Sequence, residues 1–141
     1  MKVAYWGSGP ISHFHVPALK KIGAEIVSCF SRSGSQTLHR FGAMHGIDVA
    51  RNEVEFLQKC DSADCVFVAL RTENTLDALV KLKGSYTVFF EKPGALSSTE
   101  FACLQNEVDI KNFFSLYNRR FYSTVGYLKN FIRETSQPVN L

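Results

Sequence analysis

Short apolar runs recur along the chain, each followed by a stretch with helical spacing, and this alternation constrains the fold more than any other feature. The runs are Val3–Trp6, Glu25–Phe30, Ile47–Ala50, Cys65–Ala69, Tyr86–Phe90 and Asn112–Tyr117. Helical stretches follow at Ile11–Ile22, Ser35–His45, Glu53–Cys60 and Thr72–Lys83, the last ended by Gly84. A further helix starts at Ser97/Ser98 and runs to Val108, with Glu100 early where the helix dipole favours an acid, and the last covers Phe121–Glu134. Strands separated by helices pair in parallel, because a parallel pair needs a crossover connection. Continuous apolar stretches such as Val66–Leu70 suit strands covered on both faces. The expectation is an α/β, doubly wound parallel sheet of six strands in the order 3-2-1-4-5-6, with helices on both faces.

Size and charge narrow the function classes. The chain has 141 residues, 45% of them hydrophobic and 21% charged, which is one domain's worth of ordinary globular sequence. A net charge of +3 comes without any basic stripe, so no nucleic-acid partner is expected. The apolar run after Lys2 is broken at Gly7, too short for a signal peptide, and no run reaches the length of about 20 residues that spans a bilayer. A cytoplasmic protein without membrane contact is expected. The four cysteines, Cys29, Cys60, Cys65 and Cys103, show neither a CxxC nor a metal spacing and read as reduced, mostly buried thiols. A Cys29–Cys65 disulfide is excluded by the strand order, which puts their strands on either side of the first, about 9–10 Å apart.

Three segments carry chemistry. Gly7-Ser8-Gly9-Pro10-Ile11-Ser12 lies between the first strand and the first helix, the context that turns a weak GxG signal into a dinucleotide site. Gly7 would allow the tight turn and Gly9 the approach of a pyrophosphate, which would face the free N–H groups of the helix start. Pro10 suits a first helical turn, and Ser12 is small enough for close packing. The plain alternative is a tight turn. The second strand ends in Ser31-Arg32-Ser33 with no acid to hold a ribose 2′-hydroxyl. Hydroxyls around an arginine suit a 2′-phosphate, so NADP is favoured, with NAD the alternative. Glu91-Lys92-Pro93 follows the fifth strand, at the sheet edge where such folds bind ligands. Lys92 could polarise a hydroxyl or carbonyl beside the nicotinamide, and Glu91 could orient it. Asn118-Arg119-Arg120-Phe121 follows the sixth strand in the same way.

Together these segments resemble the N-terminal Rossmann domain of the glucose–fructose oxidoreductase / inositol dehydrogenase / MocA family, over nearly the whole chain. The resemblance implies an oxidoreductase acting with NAD(P) on a carbinol or carbonyl of a sugar, cyclitol or related compound. It makes Lys92 the active-site lysine, and Gly7, Gly9, Ser31 and Arg32 cofactor contacts; Ser8, Pro10, Ile11, Ser33, Leu70, Arg71, Glu91 and Lys92 itself are expected to meet the cofactor beside them. Two departures stand out. Where the family shows Thr-Pro-Asn and then a histidine, this chain has Leu70-Arg71-Thr72 and Thr75. The family's second domain, an open sheet that carries most of the substrate pocket and through which members associate as oligomers, is also missing. Residues 1–135 would then be the dinucleotide domain and 136–141 the entry to the absent one. The chain alone is expected to bind nucleotide without turnover.

His13 and His15 are two apart on one helix, and His39 and His45 lie on another, so no metal site is expected. His13 either approaches a cofactor or is a surface residue at the helix start. Phe113, Phe114, Tyr117 and Phe121 read as core and inter-domain packing. The rival to catalysis is a Rossmann module that binds nucleotide as a sensor or scaffold.

Overall fold

A computed structural model describes every residue except 33, 34, 85, 108, 109 and 136–141. Ser33 and the segment read as the entry to a second domain lie outside the described residues. Five strands, β1 (Lys2–Trp6), β2 (Glu25–Phe30), β3 (Cys65–Val68), β4 (Val88–Phe90) and β5 (Phe113–Ser115), form one parallel sheet in the order β2-β1-β3-β4-β5. The helices are α1 (Ser12–Lys21), α2 (Gln36–His45), α3 (Glu53–Cys60), α4 (Thr72–Lys81), α5 (Ser98–Glu107) and α6 (Ser123–Thr135).

The expected six strands are thus five. Ile47–Ala50 sits beside β2 as expected but forms only one bridge, Cys29 to Val49. Two backbone bonds flank it, from Cys29 N to Asp48 O and from Ala50 N to Cys29 O. The segment is too short to extend the ladder: α2 ends just before it at Gly46, in a left-handed cap, and the α3 cap follows at Asn52.

Register lines up one aromatic ring from each of four adjacent strands. Tyr5, Phe67, Phe89 and Phe114 are direct partners across β1, β3, β4 and β5, with neighbouring ring centroids 6.3, 5.1 and 5.3 Å apart. Stacked pairs of this kind add about 0.5–1.5 kcal/mol each beyond the area they bury. Cover thins along the row, from Tyr5, fully buried, to Phe114, 46% exposed. Trp6, Phe30 and Phe56 form a second aromatic cluster, with Phe56 of α3 fully buried against the sheet. Leu79 and Leu82, on and just after α4, are also fully buried, whereas α6 contributes no residue to the core among those whose burial is described. Among the described residues no helix is long and apolar enough to cross a membrane.

Candidate functional site

The turn after β1 is fixed by contacts that only glycine permits. Gly7 has φ +150° and donates its N–H to Phe30 O at 2.6 Å, and a Cβ there would lie 2.4 Å from the carbonyl oxygen of Ala69. At Gly9 an added Cβ would meet nothing within 4 Å, so the space before it is open to a ligand. Helix α1 begins without a side-chain cap. Its first N–H groups are used within the turn: Ser12 N donates to Gly9 O and His13 N to Pro10 O. The donors left over are one step earlier than the sequence suggests. Among the described residues, the N–H groups of Ser8, Gly9 and Ile11 have no backbone acceptor.

A cavity of about 700 Å³ opens at the carboxyl ends of β1, β2 and β3. One wall is Ser8, Gly9, Pro10 and Ile11 with His13, the second is Ser31, Arg32, Ser35 and Thr37, and the third is Ala69, Leu70, Arg71, Glu73 and Asn74. Three segments far apart in sequence converge here because β1 lies between β2 and β3. Eight of the sequence-predicted residues, Ser8, Gly9, Pro10, Ile11, Ser31, Arg32, Leu70 and Arg71, line the cavity. Gly7 shapes the turn from behind. Thr75 is buried and donates its hydroxyl to Arg71 O at 3.1 Å, fixing the start of α4.

Sequence reasoning missed Ser35, Thr37, Ala69, Glu73 and Asn74. Ser35 had a readable signal, since it caps α2, accepting from Leu38 N at 3.3 Å. Glu73 and Asn74, exposed on the first turn of α4, carried no signal of their own.

Glu91 and Lys92 stand apart from this cavity. Glu91 N donates to Val68 O at 2.9 Å, continuing the β3–β4 ladder into the turn. Lys92 is exposed and precedes a cis bond to Pro93. Gly94 packs so close to Phe90 that a Cβ would lie 2.6 Å from its ring. The Glu91 carboxylate meets His15 Nε2 at 3.1 Å, a partner the sequence reading did not name. The other ring nitrogen of His15 lies 3.0 Å from the Tyr5 hydroxyl. Burial pushes the Tyr5 phenol far above its ordinary range, partly offset by the Ser12 hydroxyl and reinforced by the Glu91 charge.

His13, on the cavity wall, meets His45 of α2, with Nδ1 and Nε2 3.1 Å apart. Burial, then His13 and Lys20, hold the His45 imidazole below its usual range. Among the described residues no three His, Cys, Asp or Glu side chains gather as a metal ion would require. Asn118–Phe121 forms a short 3₁₀ turn beside a second, largely aromatic cavity of about 570 Å³ that includes Phe89, Phe113, Phe114 and Tyr117.

No protein-family model matches the chain, and no curated protein does. Solved structures do. The WlbA dehydrogenase of Bordetella pertussis, in complex with NADH and UDP-GlcNAcA, superposes with a TM-score of 0.84 at 20% identity, over 95% of this chain and 40% of that one. A myo-inositol dehydrogenase of Corynebacterium glutamicum gives 0.82 at 16% identity, over 96% and 41%. KijD10, a 3-ketoreductase of Actinomadura kijaniata in complex with NADP and TDP-benzene, gives 0.79 at 18%, over 95% and 42%. The chain spans about two fifths of the length of these enzymes and has the Rossmann-type fold that this part of each of them forms.

Proposed function

We propose that the chain is the NADP(H)-binding domain of an oxidoreductase acting on a carbinol or carbonyl of a sugar, cyclitol or related compound. The observation that carries this reading is the cavity at the sheet's carboxyl edge, with open space at Gly9, free N–H groups on Ser8, Gly9 and Ile11, and an arginine among hydroxyls on its second wall. A dinucleotide fits these groups. The N–H donors suit the pyrophosphate, while Ser31 and Arg32, with Ser33 beside them in sequence, suit a ribose 2′-phosphate. Leu70 and Arg71 line the wall at the end of β3. A bound nicotinamide would supply or accept the hydride, and Lys92 would hold or move the proton of the reacting oxygen. In this reading residues 1–135 are the dinucleotide domain and 136–141 lead into a substrate domain that confers sugar specificity and supports homo-oligomer formation. The setting is the cytoplasm.

Titrating the chain with NADPH and NADH tests the cofactor. Hydrogen bonds to a charged group are worth about 1.5–3 kcal/mol each, so NADPH is expected to bind at least about tenfold more tightly. Arg32→Ala should remove most of that preference and spare NADH binding, and added salt should narrow the gap because Arg32 is exposed. Equal affinities in the wild type would leave Arg32 a solvated loop residue, and binding of neither would refute the proposal. A module that binds dinucleotide without catalysis is the second reading, favoured by Lys92 lying outside the cavity wall.

A further inference from the structure

His15 is absent from the proposed cofactor and catalytic sets, yet it joins two segments that both serve them. It lies on α1, the helix that rises from the glycine turn, and its ring sits edge-on to Tyr5 and Phe67 of the aromatic row. Both it and Glu91 are largely covered, with side chains 20% and 18% exposed. Hydrogen-bond polarity is fixed from both ends. An ionised carboxylate only accepts, so His15 Nε2 carries the proton that faces Glu91. A neutral ring then leaves Nδ1 as acceptor, and the Tyr5 phenol, kept protonated by its burial, donates to it. Glu91 is held twice, by its backbone N–H on Val68 O and by its side chain on α1. The next residue is Lys92.

We propose that His15 is a positioning residue that draws the Glu91 carboxylate onto α1 and so keeps it from pairing with Lys92. An ammonium neutralised by its own neighbour is a poorer partner for a substrate oxygen, and a carboxylate adjacent in sequence is within reach to pair with it once nothing else holds that carboxylate. The Tyr5 hydroxyl locks the His15 ring in the required tautomer, and the core around Tyr5 makes that lock rigid. The turn bearing Lys92 is thereby tied to the helix whose N-terminal end borders the nucleotide cavity. This inference deepens the proposed function and rests on its reading of Lys92 as the proton-handling group.

The test reads the nucleotide-free chain. Limiting acetic anhydride labels lysine amines, and mass spectrometry of the digest reports Lys92 against the exposed Lys21 and Lys129 in the same sample. His15→Leu should lower the relative labelling of Lys92 by about two- to tenfold, the range one hydrogen bond carries, as the released carboxylate pairs with it. His15→Gln, which keeps an N–H donor, should label as wild type, and His15→Leu combined with Glu91→Gln should recover. Nitrogen-15 NMR of the wild type should show the Nε2–H tautomer of His15. Unchanged Lys92 labelling in folded His15→Leu, or the Nδ1–H tautomer, overturns the proposal; if His15→Leu does not fold, the tautomer and the Gln variant decide. A dinucleotide titration of the same wild-type sample separates the two claims: absent binding refutes the proposed function, while labelling alone judges the tether.

Discussion

Gly7 and Gly9 are two residues apart but answer to different constraints. Alanine at Gly7 would meet the Ala69 carbonyl at 2.4 Å in a backbone conformation that side chains rarely adopt. Gly7→Ala should therefore cost about 1–3 kcal/mol in urea unfolding and weaken nucleotide binding with it. Gly9→Ala fills open space and should leave stability within about 0.5 kcal/mol while lowering dinucleotide affinity, the signature of a position kept bare for a ligand. Sequence alone gives the two glycines different tasks, a turn and room for a pyrophosphate; the fold adds that one faces a carbonyl and the other a cavity. The thiols divide as sharply. Cys29, Cys60 and Cys65 are buried and Cys103 is exposed on α5. Burial pushes Cys29 and Cys60 up to about 12, each reinforced by a neighbouring aspartate, so neither offers a thiolate near neutral pH. A thiol reagent should label Cys103 in the native chain and the others only on unfolding. The pH sign follows from the same shift. Folding favours the protonated thiols, so their contribution is complete below about 9 and lost as pH rises toward about 12, and alkaline unfolding should set in there.

Two helices start with the same reciprocal cap. At α3 the Asn52 side chain accepts from Glu55 N at 2.9 Å while Glu55 Oε2 accepts from Arg51 N at 3.1 Å. At α5 Ser97 accepts from Glu100 N at 3.1 Å and Glu100 accepts from Leu96 N at 2.8 Å. Asn52→Ala should cost about 0.5–2 kcal/mol, read as a shift in the unfolding midpoint. Bonds from the Arg51 side chain and backbone, with Lys59, hold the Glu55 carboxyl down at about 2. A depressed carboxylate stabilises the fold above its ordinary value near 4.5, and that contribution is lost as pH falls toward about 2. Glu55→Gln should flatten the acid limb of the stability profile across that window. The Ser97 start was legible because serine precedes a helical pattern with an acid three residues on, whereas the dipole alone understated what Glu100 does. The helices and the continuous apolar strands were legible in the same way. Ile47–Ala50 was not, because its composition reads as a strand while the caps on either side leave room for a single bridge.

At the scale of the molecule, the cavity and the Glu91-Lys92 turn sit on one sheet edge, and they draw on different lengths of the chain. The cavity draws its walls from residues 8 to 74, around β1, β2 and β3. Lys92 lies beyond it and is open to solvent, so the chain should bind dinucleotide without measurable turnover of sugars. Assays with NADPH and NADP on aldoses, ketoses and inositols check this, and in an active, longer form Lys92→Ala should lower the rate by about 10²–10⁴ with cofactor affinity nearly unchanged. Much of the cavity wall was legible because strand ends and glycine turns announce it. The His15–Glu91 contact was not, since residues on α1 and after β4 meet only once the strand order is known. Beyond β4 the aromatic row loses its cover, and α6 leaves Tyr127 75% and Phe131 47% exposed. Protection against hydrogen exchange should follow this gradient, with β1 and β3 amides exchanging only through global unfolding and α6 through local opening. Fraying of α6 would thus cost the cavity nothing, since its walls end at residue 74, and that helix can bend, dock or be replaced while the cavity keeps its shape.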